Sequence, residues 1–454
     1  MKMIKMALLG GAALAVTSAG AYADELSDLK AQIEALNSRM AAMEAAPAVP
    51  AGYSLMTVSK GEQIVVPGLD RLNKQIANEG NSATIISVLP TADAPAGTEI
   101  AWSGYARAGL VYVNGTQDYK TYVRVENEDG TYSRDVIARG DNDYDDLDVY
   151  ARGQIKVVGK TDTAVGEVGA TINLRGNLDG NRRLANESTT NSFIFNGGVY
   201  VEEAWGWWAM TPELTLGGGF TGSLGNIGYG YDGACTCYYT DNADVALNPG
   251  DSTQMRLTYA SGPFFVAIAL EDATGVGGFN SGNPLSEDNN LGVAGEIKYA
   301  GDMFSGEISG VWRSADDEFL NAVGVADPED PFAVGAGIGF ALGDIANISA
   351  GAAMGQYNNG QDFWRASILA SANLSDEVHA EIAYGYTSAD YSDQTVNAVL
   401  AGIYYDPVDK LTIGLEGEWI MTSDFDDVLN ADGSITEYDD AQSFQVDLVT
   451  VFRF

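Results

Sequence analysis

The sequence predicts an all-β fold, a 16-stranded antiparallel transmembrane β-barrel preceded by a short N-terminal coiled-coil helix. The C-terminal stretch, residues 442–454, alternates apolar and polar side chains, as a strand with two different faces requires. The largely apolar parity comprises Phe444, Val446, Leu448, Thr450, Phe452 and Phe454. About ten residues of alternation suit a strand tilted across a bilayer better than a soluble strand. An export leader and a run of similar segments over residues 99–454 favour the same fold.

The N-terminus decides between this barrel and a soluble β-sandwich, whose edge strand could carry the same C-terminal pattern. Residues 1–23 combine basic residues at Lys2 and Lys5, an apolar run and the ending AYA at 21–23. This is the pattern of a cleaved secretory signal, so the mature chain is predicted to begin at Asp24. No other stretch has eighteen consecutive apolar residues, which excludes a helical inner-membrane protein. The bacterial outer membrane is the predicted location.

Composition and charge narrow the range of partners. The chain has 54 Gly and 23 Tyr but only 2 Cys and 1 His, and its hydrophobic fraction of 46% is ordinary. A barrel has such a composition because its apolar residues alternate with polar ones. The formal net charge of -39 argues against nucleic acid as a partner. It suits either a surface that attracts cations or a salty medium that screens self-repulsion.

Residues 24–46 are predicted to form a coiled-coil helix in the periplasm. Apolar residues recur at spacings of three and four over three heptads among good helix formers, which is the a/d pattern of a coiled coil. The seam consists of Leu26, Leu29, Ile33, Leu36, Met40 and Met43. A parallel oligomerisation helix and a lone amphipathic helix lying on another surface both fit this pattern. Residues 47–98 mix short β-like runs with a helical piece and are predicted to be a linker or a small periplasmic subdomain.

Residues 99–454 are predicted to form the barrel, because about sixteen alternating segments follow one another between turn signals. They lie near 100–113, 146–158, 166–176, 199–209, 214–221, 252–260, 263–271, 290–299, 302–313, 332–341, 346–355, 363–373, 377–387, 395–405, 410–421 and 441–454. Short turns alternate with long loops rich in Asp, Asn and Gly, which indicates an up-and-down barrel. An even number of strands places both ends of the barrel on the periplasmic side.

Residue parity assigns an inner and an outer face to each predicted strand. In the second strand, Ile155 lies on the apolar parity, while Arg152 and Lys156 lie on the other. An interior that is charged on strand after strand predicts a water-filled lumen, since unpaired buried charge is costly. Glu203 breaks the pattern because it shares the parity of Val201, which indicates either a bulge or a subunit contact.

Two segments resemble the general porin family of alphaproteobacteria. Residues 102–109, WSGYARAG, resemble the opening strand of these proteins, and residues 214–223, LTLGGGFTGS, resemble the strand that leads into their third loop. The final Phe454 resembles the assembly signal of outer-membrane barrels, which implies the barrel assembly machinery as a partner. The resemblance implies a homotrimer in outer-membrane lipid and lipopolysaccharide, a third loop folded inward, and passive diffusion of small hydrophilic solutes. The heptad helix, residues 53–97 and the acidity depart from the family pattern.

A pore constriction is predicted where the third loop, at about 222–251, meets the barrel wall. The loop carries the acids Asp232, Asp241 and Asp244, and the inward parity of the early strands forms a basic wall. This wall comprises Arg107, Arg152, Lys156, Arg175 and Arg256. Opposed charges would create a transverse field that orients dipolar solutes and tunes ion choice, although any water-filled barrel carries both signs. Because acids outnumber bases, the channel is predicted to prefer cations. A substrate-specific channel of the same architecture is the alternative.

The remaining chemistry-bearing residues give little support to catalysis, and the protein is predicted not to be an enzyme. Cys235 and Cys237 are predicted to be a strained loop disulfide or two idle thiols, since too few metal ligands lie nearby in sequence. His379 falls on the lumen parity beside Glu381. An outer-membrane barrel enzyme is a remote alternative, because no G-x-S-x-G motif is present. No cofactor is predicted beyond weak Ca²⁺ binding by acidic loops such as 141–148 and 424–427.

Overall fold

The part of the chain that the computed structural model describes covers most of the predicted barrel. It comprises residues 54–69, 82–89, 97–126, 132–179, 196–225, 238, 251–272, 291–314, 329–357, 360–389, 394–423, 425, 428–430 and 434–454. Within these ranges, no helix is long and apolar enough to cross a membrane. The predicted leader at 1–23 and the predicted helix at 24–46 lie outside the described residues.

The described residues form strands almost throughout. In chain order these are β1 (Met56–Glu62), β2 (Ser82–Val88), β3 (Thr98–Thr116), β4 (Asp118–Glu126), β5 (Tyr132–Asp141), β6 (Tyr144–Thr163), β7 (Gly166–Asp179), β8 (Asn196–Ala209), β9 (Leu214–Gly222), β10 (Asp251–Ser261), β11 (Phe264–Asp272), β12 (Leu291–Ala300), β13 (Phe304–Arg313), β14 (Phe332–Leu342), β15 (Ala346–Gln356), β16 (Asp362–Asn373), β17 (Val378–Ala389), β18 (Gln394–Val408), β19 (Leu411–Ser423), β20 (Val428–Leu429), β21 (Ile435–Tyr438) and β22 (Ala441–Arg453). Sixteen of them correspond to the sixteen predicted segments.

The strands β3, β6 to β19 and β22 close into one antiparallel barrel, which confirms the predicted fold. Each pairs with the next along the chain, and β22 pairs back with β3, from Gln442 opposite Thr116 to Arg453 opposite Tyr105. Closure leaves the barrel without a free edge that could pair with another chain. Short turns connect β6 to β7, β10 to β11 and β18 to β19 at one end, which we call the short-turn end. The other end is the long-loop end.

The two faces of the barrel alternate as the parity of the sequence predicts. Along β10, Gln254 and Arg256 point inward and are buried, whereas Met255 and Leu257 point outward and are exposed. An exposed apolar exterior around a polar interior is the reverse of a soluble barrel, and it is the arrangement that a lipid environment stabilises. The same alternation recurs in β11, β12, β14 and β15.

Aromatic side chains form a band at the short-turn end of β11 to β14. The ring of Tyr299 lies 5.2 Å from that of Phe264 and 6.2 Å from that of Phe304. Phe304 in turn lies 5.3 Å from Phe340. All four rings are exposed on the outer face. Their position matches the aromatic girdle that transmembrane barrels place at the interface between lipid and water.

A bulge explains the irregular parity of Glu203. In the pairing of β7 with β8, Asn173 lies opposite Glu203 while the next residue, Leu174, lies opposite Val201. Glu202 is therefore the extra residue of the bulge, and the face of every residue beyond it changes. Glu203 points inward, is buried, and accepts a hydrogen bond of 3.2 Å from the hydroxyl of Thr221. The first of the two predicted explanations is thus confirmed.

A second, four-stranded sheet lies in the loops at the long-loop end. It has the order β20-β21-β4-β5 and joins the first loop of the barrel to the last. Thr121 and Thr436 share a hydrogen bond of 3.1 Å across this sheet. A side-chain hydrogen bond to the Glu437 carboxylate raises the pKa of Tyr122. These strands fall in segments that the sequence analysis treats as irregular loops.

The chain divides into two compact units, of which residues 57–87 and 98–454 form the larger. Within this unit, β1 pairs with β2, and β2 pairs with β3. The smaller unit comprises 1–56 and 88–97, and in its described part Leu89 donates a backbone hydrogen bond of 2.9 Å to Leu55. That residues 47–98 as a whole form a linker or a small periplasmic subdomain stays a prediction.

Candidate functional site

The connection between β9 and β10, which is the third loop at the long-loop end, enters the lumen at its first residues. Leu224 belongs to a buried apolar cluster with inward-facing side chains of β11 to β16. These are Ala267, Ala269, Ala294, Val311, Ala333, Ala353 and Phe363. A side chain at Gly225 would collide with Val311 on β13, so glycine permits this close approach.

A buried carboxylate on β11 holds this part of the loop. Glu271 has an exposed fraction of 0%. It accepts a hydrogen bond of 2.8 Å from the hydroxyl of Ser223 and one of 3.1 Å from the backbone N–H of Leu224. Its Oε2 also lies 3.5 Å from Nη2 of Arg313 on β13. The loop is therefore attached to the wall by the carboxylate of Glu271, which accepts charge-assisted hydrogen bonds from the loop. The positive charge that pairs with this carboxylate belongs to Arg313 on another strand, β13.

Tyr238 holds a later part of the third loop against a different region of the wall. Its backbone N–H donates a hydrogen bond of 2.6 Å to Glu416 on β19, and its hydroxyl accepts one of 2.8 Å from Arg453 on β22. Its ring packs edge-on against Tyr404 at 5.8 Å and lies 5.7 Å below the guanidinium of Arg107. Residues 223–225 thus contact the inner wall on β11 and β13, and residue 238 contacts it on β18, β19, β22 and β3. Both described parts of the third loop therefore lie inside the barrel.

Several predicted site residues of the third loop lie outside the described residues. These are Asp232, Asp241, Asp244, Cys235 and Cys237. Their roles as an acidic constriction and as a loop disulfide or idle thiols stay predictions.

Four of the five predicted basic residues lie close together on the inner wall. Arg107 on β3 pairs in register with Arg152 on β6. Lys156 follows on β6, and Arg175 on β7 donates a hydrogen bond of 3.1 Å to Gln154 and forms an ion pair with Glu202. All of these residues except the half-buried Arg152 are buried. Whether they form a pore constriction stays a prediction.

The later strands carry most of the inward-facing acids. These are Glu271, Glu296, Glu307, Glu381, Glu416, Glu418 and Asp447, all of them buried. Lys298 lies 3.1 Å from Glu296 and 3.0 Å from Glu307, so part of this charge is paired. The acids of the inner wall are therefore concentrated on β11 to β22, whereas its bases lie on both halves, with Lys156 and Arg256 on the earlier strands and Lys298 and Arg313 on the later ones. The predicted acidic partner of the basic wall lies in the third loop, whereas these buried acids belong to the wall itself.

His379 lies on β17 at the short-turn end, where its imidazole stacks on Tyr404 with the ring centroids 4.7 Å apart. Its Nδ1 is 3.1 Å from a carboxylate oxygen of Asp406. The described ranges contain no group of three or more His, Cys, Asp or Glu side chains that could hold a metal ion. Weak Ca²⁺ binding by the acidic loops stays a prediction.

A closed barrel with an apolar exterior, a charged interior and a loop folded inside it is a channel-forming protein of the bacterial outer membrane. Residues 105–448 match the family described as the Porin subfamily. The chain belongs to the porin family. Membership of its alphaproteobacterial branch stays a prediction, and no curated protein matches the chain.

Three solved structures of bacterial proteins match this chain at low sequence identity. The anion-selective porin from Comamonas acidovorans is 12% identical, with a TM-score of 0.47, and the match covers 79% of this chain and 100% of that one. A triple mutant of the Rhodopseudomonas blastica porin is 14% identical, with a TM-score of 0.42 and coverage of 78% and 100%. A loop-deletion mutant of OmpT, an outer membrane protein of Vibrio cholerae, is 12% identical, with a TM-score of 0.43 and coverage of 76% and 99%.

Proposed function

We propose that this porin is a water-filled channel for the passive diffusion of small hydrophilic solutes and ions, that it prefers cations, and that it works as a homotrimer. The observation that carries the proposal is the charged inner face of a closed barrel, since buried charge without water or a partner is costly. The predicted periplasmic helix at 24–46, contact with lipopolysaccharide and delivery by the barrel assembly machinery belong to the same proposal.

The ion preference depends on where the acids lie. The inner wall holds both signs, and several of its charges are paired with one another. Most of the negative charge behind the net charge of -39 therefore lies in the loops and at the rim of the pore, where the loops meet the barrel. Rim charges act over about one Debye length, roughly 8 Å at physiological salt. Cation preference should weaken, without disappearing, as salt concentration rises.

The reversal potential across a planar bilayer under a salt gradient tests the proposal. We expect a cation-selective potential for the unaltered protein and a smaller one for Asp232→Asn combined with Asp241→Asn. Asp424→Asn combined with Asp426→Asn in the last loop is the matched control and should change the potential less. An anion-selective protein would refute the electrostatic argument. Equal changes in the two double variants would place the third-loop acids away from the narrowest part of the pore.

A substrate-specific channel is the second candidate function, and the attachment of the third loop at two places favours it. Ser223 and Leu224 are held by Glu271, and Tyr238 is held by Glu416 and Arg453. A loop fixed in this way keeps a defined pore shape, which selection by size and hydrogen bonding requires. Single-channel conductance measured with a series of sugars, amino acids and organic acids separates the two functions. A specific channel is blocked by one class at low concentration, whereas a general pore is not.

A further inference from the structure

Residues 63–69 lie inside the barrel, against the wall at the short-turn end. Ile64, Val66 and Leu69 are buried there, and the exposed fraction of Val66 is 0%. The cluster also contains the inward-facing Ala101, Val158, Trp205 and Trp207. These wall residues belong to β3, β6 and β8. A segment N-terminal to the barrel therefore covers part of its inner surface.

Arg256 on β10 fixes this segment in place. All three nitrogens of its guanidinium donate hydrogen bonds: Nη1 to the carbonyl of Gly68 at 2.7 Å, Nε to Gln254 at 3.1 Å, and Nη2 to Gln254 and to the carbonyl of Gly222. The guanidinium also lies 5.3 Å from the ring centre of Trp205, within the range of a cation–π contact. Arg256, predicted as one charge of the basic wall, is thus bound to the N-terminal segment.

The turn that Arg256 contacts is closely fitted to the wall. The backbone N–H of Leu69 donates a hydrogen bond of 3.3 Å to Val66, and Gly68 has a φ of 78°. A Cβ atom added at Gly68 would lie 3.5 Å from Cβ of Thr258 on β10. A glycine here provides both the left-handed backbone and the close approach.

The path of the chain places this segment along the inner wall at the short-turn end. Strand β2 pairs with β3, and β22 covers the edge of β3 only from Tyr105 onward. Because β6 covers the other edge of β3 from Thr98 to Gly115, β2 must pair with the part of β3 before Tyr105. Residues 63–69 then follow the inner wall from β3 to β10. In a porin this short-turn end is the periplasmic end.

We propose that residues 63–69 are a permeability-determining segment, which narrows the periplasmic half of the lumen and which Arg256 positions. The proposal rests on the function proposed above, since it concerns flow through the same pore. An extended chain fills roughly 50 Å² of cross-section, from a strand spacing of about 4.8 Å and a thickness of about 10 Å. Displacing the segment should therefore raise single-channel conductance, because the current through a water-filled pore increases with its open cross-section.

A disulfide tests the position of the segment without any measurement of flow. The variant carries Gly68→Cys and Thr258→Cys in a background of Cys235→Ser and Cys237→Ser. A Cβ separation of 3.5 Å suits a disulfide, so mild oxidant should cross-link the folded barrel, and the denatured chain should migrate faster on a non-reducing gel. The control pairs Gly68→Cys with Ser349→Cys, which is also inward-facing and buried but lies on β15. Equal cross-linking of both pairs would overturn the proposal, and so would none in heat-modifiable protein whose Gly68→Cys single variant is as stable to urea as the unaltered protein.

Two neighbouring substitutions test the effect on flow. Val66→Asp places a charge in the buried cluster and should release the segment, because an unpaired buried carboxylate is costly. Val65→Asp adds the same charge one residue away at a side chain that is 70% exposed, so it should leave the segment in place. We expect a rise in single-channel conductance only for Val66→Asp. The same conductance in both variants would overturn the proposal.

The two measurements separate this proposal from the proposed function. If the unaltered protein forms no conducting channel, the proposed function fails, while the cross-link still reports whether residues 63–69 occupy the lumen. If the channel conducts but Val66→Asp does not change it, the segment does not determine permeability and the proposed function remains intact.

Discussion

Replacing Glu271 should destabilise the barrel and loosen the third loop together. Glu271→Ala removes the acceptor of the Ser223 and Leu224 hydrogen bonds and the carboxylate that pairs with Arg313, whose exposed fraction is 1%. Removing one partner of a buried ion pair costs about 3–5 kcal/mol. Hydrogen bonds to a charged group contribute about 1.5–3 kcal/mol each. We do not add this contribution to the cost of breaking the ion pair, because the effects of truncating groups in contact are not additive. We therefore expect a loss of about 3–5 kcal/mol.

Urea unfolding of the protein refolded into lipid vesicles, followed by tryptophan fluorescence, measures this loss. Glu377→Ala is the matched control, because Glu377 is exposed in the short turn between β16 and β17, and its change should stay within about 0.5 kcal/mol. Combining Glu271→Ala with Arg313→Met should cost less than the sum of the single changes, by at least about 1 kcal/mol. Additive losses would refute the ion pair of Glu271 with Arg313, and a Glu271→Ala variant as stable as the control would refute the assignment of Glu271 as the attachment point of the loop.

The remaining predictions concern the lipid face, the helix and the chain terminus. Leu448→Arg on the outer face of β22 should cost about 2–4 kcal/mol near the bilayer midplane, whereas Gln445→Arg on the inner face should fold. Equal amounts of heat-modifiable protein in outer membranes would contradict the face assignment. Leu29→Asp with Ile33→Asp should lower the temperature at which trimers dissociate in detergent. An unchanged dissociation temperature would mean that the helix at 24–46 does not stabilise the trimer. Deleting Phe454 should reduce assembled, protease-protected barrel in outer membranes, and normal assembly would exclude it as a signal.

The sequence predicts the barrel strands well because their signal is local. Each strand repeats the same alternation against lipid, and each short turn is marked by residues such as Gly262, whose φ of 56° suits a tight turn. The sheet formed by β4, β5, β20 and β21 has no such signal, since no strand of it faces lipid. Its central pairing joins Ile435 to Tyr122, more than three hundred positions apart. Sequence patterns of period two cannot identify a partner at that distance.

The sequence predicts which side chains of the candidate site point into the barrel, but it does not predict which residues they contact there. Parity correctly places Arg107, Lys156 and Arg256 on the inner face, but it says nothing about what lies against each of them. Arg256 binds a segment that precedes the barrel, because hydrogen bonding to the carbonyl of Gly68 depends on the path of residues 63–69. Glu271 shares the parity of Ala267 and Ala269, so its inward position could have been found from the alternation of β11.

The inner carboxylates have two roles that cannot be changed separately by removing a side chain. Glu271 and Glu416 contribute negative charge to the later half of the wall, and they also accept the hydrogen bonds that hold the third loop. A variant that neutralises either residue alters both the field in the lumen and the position of the loop. Charge and shape therefore have to be separated at residues that carry only one of these roles. The third-loop and rim acids predicted from the sequence test charge, whereas uncharged substitutions at Leu224 and Val66 test shape. A change in selectivity with constant conductance would identify the first effect, and a change in conductance with constant selectivity would identify the second.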